Sequence, residues 1–232
     1  MEKQKYAAIV LAAGSGKRMN SKVHKQYLII QDRPVLYYSL KAFEDSAVDE
    51  IVLVVGKGEE EFCRKEIVDK YGISKVKAIV EGGKERYHSV FEGLKQTSDA
   101  DYVLIHDGAR PFVNQDIIRR CMQEVQKYQA CVVGMPVKDT IKIADEEGYA
   151  KQTPDRKNVW MIQTPQTFSY ALIYEAYEEM LKTEDAAITD DAMVLERTEG
   201  KKSKLIEGSY RNIKITTPED LLIANVYLQH PE

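Results

Sequence analysis

Short runs of apolar residues recur along much of this 232-residue chain, and segments with helical periodicity separate them. The runs are apolar throughout rather than alternating, which is typical of strands covered on both faces of a sheet. They are Tyr6–Leu11, Ile51–Val55, Val76–Val80, Tyr102–Ile105 and Cys131–Val133. The helical segments are Val35–Phe43, Glu60–Tyr71, Arg86–Gln96 and Gln115–Tyr128. This β-α-β order predicts an α/β fold with a Rossmann-like, doubly wound and mostly parallel sheet.

The pattern changes after Pro136, where a polar stretch at residues 138–158 interrupts the alternation. Strand-like Thr140–Ile143 lies within it and Glu147-Gly148 supplies a turn, so we expect a β-hairpin arm that projects from the domain. A lone two-stranded hairpin is only marginally stable in water. We therefore predict a homodimer in which this arm lies at the interface.

After the arm, strand and helix patterns return. The predicted elements are a strand at Trp160–Gln163 and helices at Tyr170–Lys182, Asp190–Arg197 and Pro218–Leu228. The last helix has a favourable start, with Thr217 as a cap, Pro218 in the first turn and acids beside the positive helix end. No repeat or linker interrupts the chain, so residues 1–232 are expected to form one domain.

Composition narrows the function classes. The chain has 44% hydrophobic and 30% charged residues, as ordinary globular proteins do. Its formal net charge of −4 gives no overall positive field, so no nucleic-acid partner is expected. The three cysteines have neither C-x-x-C nor zinc-type spacing and are expected to be buried free thiols. The apolar run Ala7–Ala13 is too short for a signal peptide or a membrane helix, so we expect a cytoplasmic protein with no membrane partner.

A glycine-rich loop follows the first predicted strand: Ala12-Ala13-Gly14-Ser15-Gly16-Lys17-Arg18-Met19. Small residues let a ligand approach the backbone, whose consecutive N–H groups can bind phosphate oxygens. The spacing does not fit a P-loop, and Met19 stands where a dinucleotide-binding loop needs its third glycine. The loop therefore predicts a nucleotide or phosphate site, with a tight strand-to-helix turn as the alternative.

Basic residues accompany this loop at Arg18, Lys22 and Lys25. Cations so close to a glycine-rich loop can reach the same anion. Arg18 and Lys25 would be placed to stabilise charge that grows on a phosphate during displacement. The alternative is solvated surface charge, which is the usual fate of a lysine.

Polar residues also stand at the end of the Tyr102–Ile105 run, at the edge where open α/β sheets bind ligands. The Asp107 carboxylate suits Mg²⁺ or a sugar hydroxyl, and Arg110 offers a forked donor for phosphate or hydroxyl groups. An Asp-Gly turn is the structural alternative. We expect His106 to be a satisfied, partly buried imidazole with no part in the chemistry.

Lys214 lies between Ile213 and Ile215 in a predicted strand. A lysine there is more often functional than one on a helix face, although edge strands use lysine as a guard against pairing. We expect the Lys214 side chain to contact phosphate groups of the predicted ligand.

With Lys25-Gln26-Tyr27 added, the first loop resembles the signature of sugar nucleotidyltransferases. Six later motifs, in family order, resemble the 2-C-methyl-D-erythritol 4-phosphate cytidylyltransferase family. They are Gly82-Gly83-Lys84-Glu85-Arg86, His106-Asp107-Gly108-Ala109-Arg110-Pro111, Val137-Lys138-Asp139-Thr140-Ile141-Lys142, Gln163-Thr164-Pro165-Gln166, Thr189-Asp190-Asp191-Ala192 and Asn212-Ile213-Lys214-Ile215-Thr216. The likeness runs over essentially the whole chain, from residue 6 to about 228.

The resemblance implies a single nucleotidyltransferase domain that transfers CMP from CTP to 2-C-methyl-D-erythritol 4-phosphate, in non-mevalonate isoprenoid biosynthesis. CTP is then expected at Ala12, Ala13, Gly14, Ser15, Gly16, Gly83, Lys84 and Ser89. The acceptor, a polyol phosphate, is expected at Asp107, Arg110, Thr140, Arg156 and Thr189. The residues expected to act in catalysis are Arg18, Lys25, Lys214 and Arg156.

Mutual repulsion of the two substrates is the main obstacle to such a reaction. The acceptor phosphate carries a charge of about −1.5 to −2 at neutral pH and is already a nucleophile, so alignment and neutralisation matter more than a general base. We expect in-line attack on the α-phosphorus without a covalent enzyme intermediate. Mg²⁺ is the expected cofactor, held mainly by the CTP phosphates, with Asp107 as a candidate ligand. Arg156 is expected to reach the acceptor across the dimer.

Three other functions stay open. A ribitol 5-phosphate cytidylyltransferase of teichoic acid synthesis shares most motifs, but it tends to carry Ser-Val where this chain has Gly108-Ala109. A non-catalytic nucleotide-binding regulator is a second alternative, against which Arg18, Lys25 and Lys214 together argue. An NAD-binding domain is the third, and it lacks its last glycine.

Overall fold

A computed structural model describes residues 3–14, 19, 23–183 and 188–230 of the chain. Its main sheet has seven strands in the order β11-β7-β10-β6-β1-β4-β5. The strands of the chain are β1 (Tyr6–Ala12), β2 (Ile29–Ile30), β3 (Arg33–Pro34), β4 (Glu50–Val55), β5 (Val76–Glu81), β6 (Tyr102–Asp107), β7 (Ala130–Pro136), β8 (Ile143–Ala144), β9 (Ala150–Gln152), β10 (Trp160–Ser169) and β11 (Lys204–Glu207). β2 and β3, and likewise β8 and β9, form separate two-stranded sheets.

Helices cover both faces of the main sheet. They are α1 (Val35–Glu44), α2 (Glu60–Cys63), α3 (Arg86–Leu94), α4 (Gln115–Tyr128), α5 (Tyr170–Thr183), α6 (Asp191–Thr198) and α7 (Pro218–Gln229), with one-turn 3₁₀ helices at Lys25–Tyr27 and Arg156–Asn158. Side chains of α1 and α4 pack in one apolar cluster with the sheet, and those of α3, α5 and α6 pack in another. Because strands such as β1, β4 and β6 are buried on both faces, they are apolar at nearly every position.

The doubly wound, mostly parallel sheet is confirmed. β1 pairs in parallel with β4 and β6, β4 with β5, and β7 with β11. β10 is the exception, since it runs antiparallel between β6 and β7. Its register shifts between Ile162 and Gln166, where the sequence pattern had predicted the strand to end.

Three sequence predictions were wrong in detail. The predicted helix at Glu60–Tyr71 is α2 followed by a π-helical stretch, Arg64–Asp69. The predicted strand around Lys214 is an extended segment outside the main sheet, and the Ile215 N–H donates a hydrogen bond to the Ala109 carbonyl at 2.8 Å. β11 was not predicted at all, since its sequence Lys-Leu-Ile-Glu has two apolar residues at a sheet edge.

The segment of Lys214 is held at both sides. The Ile215 side chain is fully buried in a third apolar cluster with α7. At the start of α7, the Asp220 carboxylate accepts hydrogen bonds from the N–H groups of Thr216 and Thr217 at 2.7 and 2.8 Å. The capped start of α7 therefore anchors the extended segment that carries Lys214.

Residues 143–152 form an antiparallel hairpin, β8–β9, outside the main sheet. Its turn contains Gly148 in a left-handed conformation, with φ of 88°. Every residue from 138 to 153 is exposed in the single chain, including the apolar side chains of Ile143 and Tyr149. No helix among the described residues has the length and apolar character to cross a bilayer.

Candidate active site

A cleft of about 390 Å³ opens at the carboxyl ends of β1, β5 and β6. Parallel α/β sheets bind ligands at this edge because the loops that follow the strands leave a crevice there. The residues that line the cleft are Leu11, Ala12, Ala13, Gly14, Lys25, Gln26, Gly83, Lys84, Glu85, Arg86, Ser89, Asp107, Ala109 and Lys214. Most of the sequence-predicted CTP residues are among them. Ser15, Gly16 and Arg18 lie outside the described residues.

Close backbone packing shapes the side of the cleft that lies between β1 and α3. A Cβ atom at Gly82 would lie 2.6 Å from both the Ala13 Cβ and the Ser89 Oγ. Only glycine therefore lets the loop after β5 approach the end of β1 this closely. The Ser89 hydroxyl accepts a hydrogen bond from the Gly83 N–H at 3.1 Å and donates to the Glu85 carbonyl at 3.3 Å. These contacts place the amino-terminal turn of α3 at the cleft wall, where its N–H groups favour an anion.

Asp107 lies at the base of the cleft among cations. Its Oδ2 is 2.8 Å from the Lys214 Nζ and 3.6 Å from the Arg110 Nε, and its Oδ1 is 3.5 Å from the Arg86 Nε. Although burial favours the neutral acid, these cations, Lys214 foremost, hold the pKa of Asp107 well below its usual range. Asp107 is therefore a carboxylate that gathers cations from three separate chain segments.

Arg86 connects this centre to α6 and was given no role from the sequence. Its guanidinium makes a two-pronged pair with the fully buried Asp191, at 2.7 and 2.8 Å. Asp191 also accepts a hydrogen bond from the Tyr177 hydroxyl at 2.6 Å. Although burial opposes its charge, Asp191 and Asp107 raise the pKa of Arg86, so it stays a cation. An arginine at the first position of a helix, beside the positive helix end, is a signal that a carboxylate lies nearby.

The start of α6 is itself fixed to β10. The Gln166 side-chain oxygen accepts hydrogen bonds from the N–H groups of Asp191 and Ala192, at 2.9 and 3.0 Å. The Asp190 side chain caps the helix by accepting from the Met193 N–H at 2.9 Å. Gln166 thus sets where Asp191 can meet Arg86.

His106 is buried and takes no part in the cleft surface. Its Nε2 lies 3.2 Å from the Arg110 carbonyl, which can only accept, so Nε2 carries the proton. Burial lowers the pKa of His106 to about 4, which leaves Nδ1 as the acceptor for the Thr164 hydroxyl at 3.0 Å. The same hydroxyl accepts from the Asp107 N–H at 3.0 Å. The expectation of a satisfied imidazole agrees with the structure, and Thr164 fixes the backbone of Asp107.

The 3₁₀ turn Lys25–Tyr27 forms another part of the cleft wall. Lys25 and Gln26 line the cleft, and the buried Gln26 amide donates to the Ala12 carbonyl at 2.5 Å. This bond ties the turn to the end of β1. Lys25 and Lys214 are far apart in the sequence, and both line this cleft. The sequence motifs predicted that these two lysines would meet one ligand.

Several predicted acceptor residues do not line the cleft of the single chain. Arg110 lies behind Asp107, where its Nη1 donates to the Asn212 carbonyl at 2.8 Å. Thr140 is exposed in the arm, and the exposed Arg156 donates to the Lys138 carbonyl at 2.8 Å. Thr189 is exposed before α6. Arg110 thus packs beside Asp107, and the acceptor roles of Arg110, Thr140, Arg156 and Thr189 stay predictions.

The donor set decides how a metal could bind. Within the described part of the chain, no three or more His, Cys, Asp or Glu side chains cluster closely enough to hold a metal ion. Asp107 is already shared among cations. The described residues of the cleft therefore do not fit a metal held by protein alone. Asp107 and Glu85 are the carboxylates that line the cleft, so they suit an ion that takes its other ligands from a bound molecule.

Comparison with known proteins gives consistent results. The family model for 2-C-methyl-D-erythritol 4-phosphate cytidylyltransferase matches residues 6–230. A 2-C-methyl-D-erythritol 4-phosphate cytidylyltransferase of Lachnoclostridium phytofermentans is 51% identical over 226 residues, covering 97% of each chain. One from Lachnospira eligens is 54% identical over 224 residues, covering 96% of this chain and 98% of that one. The crystal structure of 4-diphosphocytidyl-2C-methyl-D-erythritol synthase from Anaerococcus prevotii has a TM-score of 0.86 at 38% identity, covering 98% of this chain and 97% of that chain.

Proposed function

The chain belongs to the 2-C-methyl-D-erythritol 4-phosphate cytidylyltransferase family, and from this premise we propose how its cleft performs the reaction. It is a cytidylyltransferase of isoprenoid biosynthesis that transfers CMP from CTP to 2-C-methyl-D-erythritol 4-phosphate and releases pyrophosphate. The ribitol 5-phosphate alternative is not favoured by these relatives. The observation that carries the mechanism is the convergence of Lys25, Arg86 and Lys214 on one cleft around Asp107.

CTP would occupy the side of the cleft between the first loop and α3. Ala12, Ala13 and Gly14 offer backbone close to the phosphates, with Ser15, Gly16 and Arg18 continuing the loop. The base and ribose would lie against Gly83, Lys84 and Ser89. The close approach at Gly82 supports this assignment, because it brings the loop after β5 and the start of α3 against the end of β1 at one cleft.

The acceptor phosphate would then attack the α-phosphorus in line. Its approach to the triphosphate is opposed by repulsion. Lys25 and Lys214, which line the same cleft, would neutralise the charge that develops together with Arg18. No side chain needs to remove a proton, because a phosphate dianion is itself the nucleophile. Mg²⁺ held mainly by the triphosphate would add charge neutralisation, with Asp107 as a candidate protein ligand.

The acceptor site would be completed by a second subunit. Residues 138 to 153 expose every side chain, and β10 exposes Met161 and Ile162 beside the arm. Burying these apolar groups against a partner supports a homodimer formed through residues 138–158. Arg156 and Thr140 would then reach the acceptor of the neighbouring subunit. We also infer a cytoplasmic location, which the buried free thiols of Cys63, Cys121 and Cys131 support.

The activity is tested by pyrophosphate release with CTP, Mg²⁺ and one of two acceptors. We expect turnover with 2-C-methyl-D-erythritol 4-phosphate and kcat/KM for ribitol 5-phosphate lower by roughly a hundredfold, because the site must distinguish carbon skeletons that carry the same phosphate. Equal turnover of both acceptors would overturn the substrate assignment. No release with either acceptor would favour a binding protein without catalytic function.

The composite site is tested with Arg156→Ala. We expect a raised KM for the acceptor and an almost unchanged KM for CTP, because only the acceptor would meet the arm. With the acceptor well below its KM, an equal mixture of Arg156→Ala and Lys25→Ala chains should regain about a quarter of wild-type activity per chain. Half of the dimers would be mixed, and each mixed dimer would hold one intact site. Absence of recovery in a mixture shown by native mass spectrometry to exchange subunits would mean that Arg156 acts within its own chain.

A further inference from the structure

We propose that Glu59 is a positioning residue that holds the turn Lys25–Tyr27 so that Lys25 faces the reacting phosphates. This inference rests on the role proposed above for Lys25. Glu59 lies at the start of α2, follows the carboxyl end of β4 and is absent from the cleft wall. It therefore acts through Tyr27 and not by touching a substrate.

Glu59 contacts the back of the turn at two points. Its Oε2 accepts a hydrogen bond from the Tyr27 hydroxyl at 2.7 Å, and its Oε1 lies 2.7 Å from the His24 Nδ1. His24 and Tyr27 flank Lys25 and Gln26, which are the residues of this turn that line the cleft. One carboxylate thus contacts the residues on both sides of the segment that presents Lys25, through a hydrogen bond at Tyr27 and a close approach at His24.

The hydrogen-bond directions through Tyr27 follow from its partners. A carboxylate only accepts, so the single Tyr27 hydroxyl proton is donated to Glu59. Burial raises the pKa of Cys63 to about 11, so its thiol keeps a proton and can donate to the Tyr27 oxygen, 3.0 Å away. The Phe62 ring packs edge-on against Tyr27, with ring centres 5.1 Å apart. Tyr27 is therefore held in one orientation by α2.

Glu59 is in turn fixed to the sheet. Its Oε2 also accepts from the Gly56 N–H at 3.0 Å, just beyond the last residue of β4. A Cβ atom at position 56 would lie 2.7 Å from that oxygen, so glycine permits the approach. On the cleft side, the Gln26 amide is bonded to the end of β1. The turn that carries Lys25 is therefore clamped between two neighbouring strands, and Glu59 makes the connection to β4.

Loss of this clamp should affect turnover more than nucleotide binding. Glu59→Ala leaves the Tyr27 hydroxyl without its carboxylate and lets the turn shift away from α2. A displacement of about 1 Å in a catalytic group can cost up to a hundredfold in rate, so we expect kcat to fall roughly tenfold. The KM for CTP should change by less than about twofold, because most of the proposed CTP contacts lie on the first loop and on α3 and not on the turn.

A double-mutant cycle tests the coupling to Lys25. Glu59→Ala should lower kcat in the wild-type background and have almost no effect in the Lys25→Ala background, since the turn then presents no cation. Glu59→Gln keeps an acceptor for Tyr27 and should recover most of the rate. The matched control is Glu61→Ala on the same helix, whose exposed carboxylate pairs with Lys65 and should leave kinetics unchanged.

The outcomes separate the two roles. If Lys25→Ala leaves kcat unchanged, the proposed role of Lys25 fails and this inference fails with it. If Lys25→Ala slows turnover but Glu59→Ala does not, or if the two losses simply multiply, Glu59 does not act through the turn. Should Glu59→Ala fail to give the circular dichroism spectrum of the folded protein, Tyr27→Phe removes the same hydrogen bond without emptying the site. That variant is expected to lower kcat in the wild-type background alone.

Discussion

Replacing Lys214 by alanine is expected to lower kcat roughly a hundredfold, which is the scale on which a preorganised charge contributes to a transition state. Two effects act together at this position. The variant removes a cation from the cleft, and it also uncovers Asp107, whose Oδ2 lies 2.8 Å from the Lys214 Nζ. A negative charge that had been neutralised would then repel the incoming phosphate. Steady-state pyrophosphate release, with folding verified by circular dichroism, measures the loss.

The repulsion expected from the uncovered Asp107 carboxylate can be tested separately. Adding Asp107→Asn to Lys214→Ala removes the repulsive charge and should restore part of the lost rate. Lys202→Ala, a change at an exposed residue away from the cleft, is the control and should leave kcat unchanged. If Lys214→Ala retains more than half of the wild-type rate, the lysine does not act on the phosphates.

Replacing Arg86 by alanine is expected to give the largest loss of stability, about 3 kcal/mol in the free energy of unfolding. The reason is the partner that remains. Asp191 is fully buried and would lose its two-pronged cation while keeping a negative charge. A loss of that size corresponds to a fall of roughly 6–12 °C in Tm for a chain of this length, measurable by differential scanning calorimetry.

Two further variants separate charge from packing. Adding Asp191→Asn to Arg86→Ala removes the unpaired charge and should recover part of the stability. Arg119→Ala breaks a pair with Asp116 in which both side chains are 62% exposed, and it should change the unfolding free energy by less than about 0.5 kcal/mol. A Tm for Arg86→Ala equal to that of Arg119→Ala would contradict the account of a buried pair.

The elements that the sequence predicted well are those whose local signals agree. The helix at Gln115–Tyr128 was predicted with its observed bounds, because an amphipathic pattern lies between a capping Asn114 and a left-handed Gln129. The strand predicted around Lys214 was wrong, because an Ile-Lys-Ile pattern indicates alternation but does not specify a strand with which the segment can pair. β10 was predicted too short because Pro165 and its polar neighbours are unusual inside a strand, although the register shift at this point accommodates them.

Two of the cations predicted for the site line the cleft, whereas the contacts that hold the site together were not predicted. Motif order placed Lys25 and Lys214 at one ligand, and both line the cleft. The pair Arg86–Asp191 joins residues 105 positions apart, and no local pattern specifies which carboxylate an arginine will meet. The same limit applies to Glu59, which lies in an acidic run whose other members are surface charges on α2.

The order of residues along the chain has a consequence during protein synthesis. Arg86 and Asp107 leave the ribosome well before Asp191 and Lys214, which join them at 2.7 and 2.8 Å in the finished molecule. A nascent or prematurely terminated polypeptide that stops short of Lys214 can build most of the central strands but not the charge arrangement that brings two anions together. Such fragments would be catalytically inert, and competence would be acquired only once Lys214 has been synthesised.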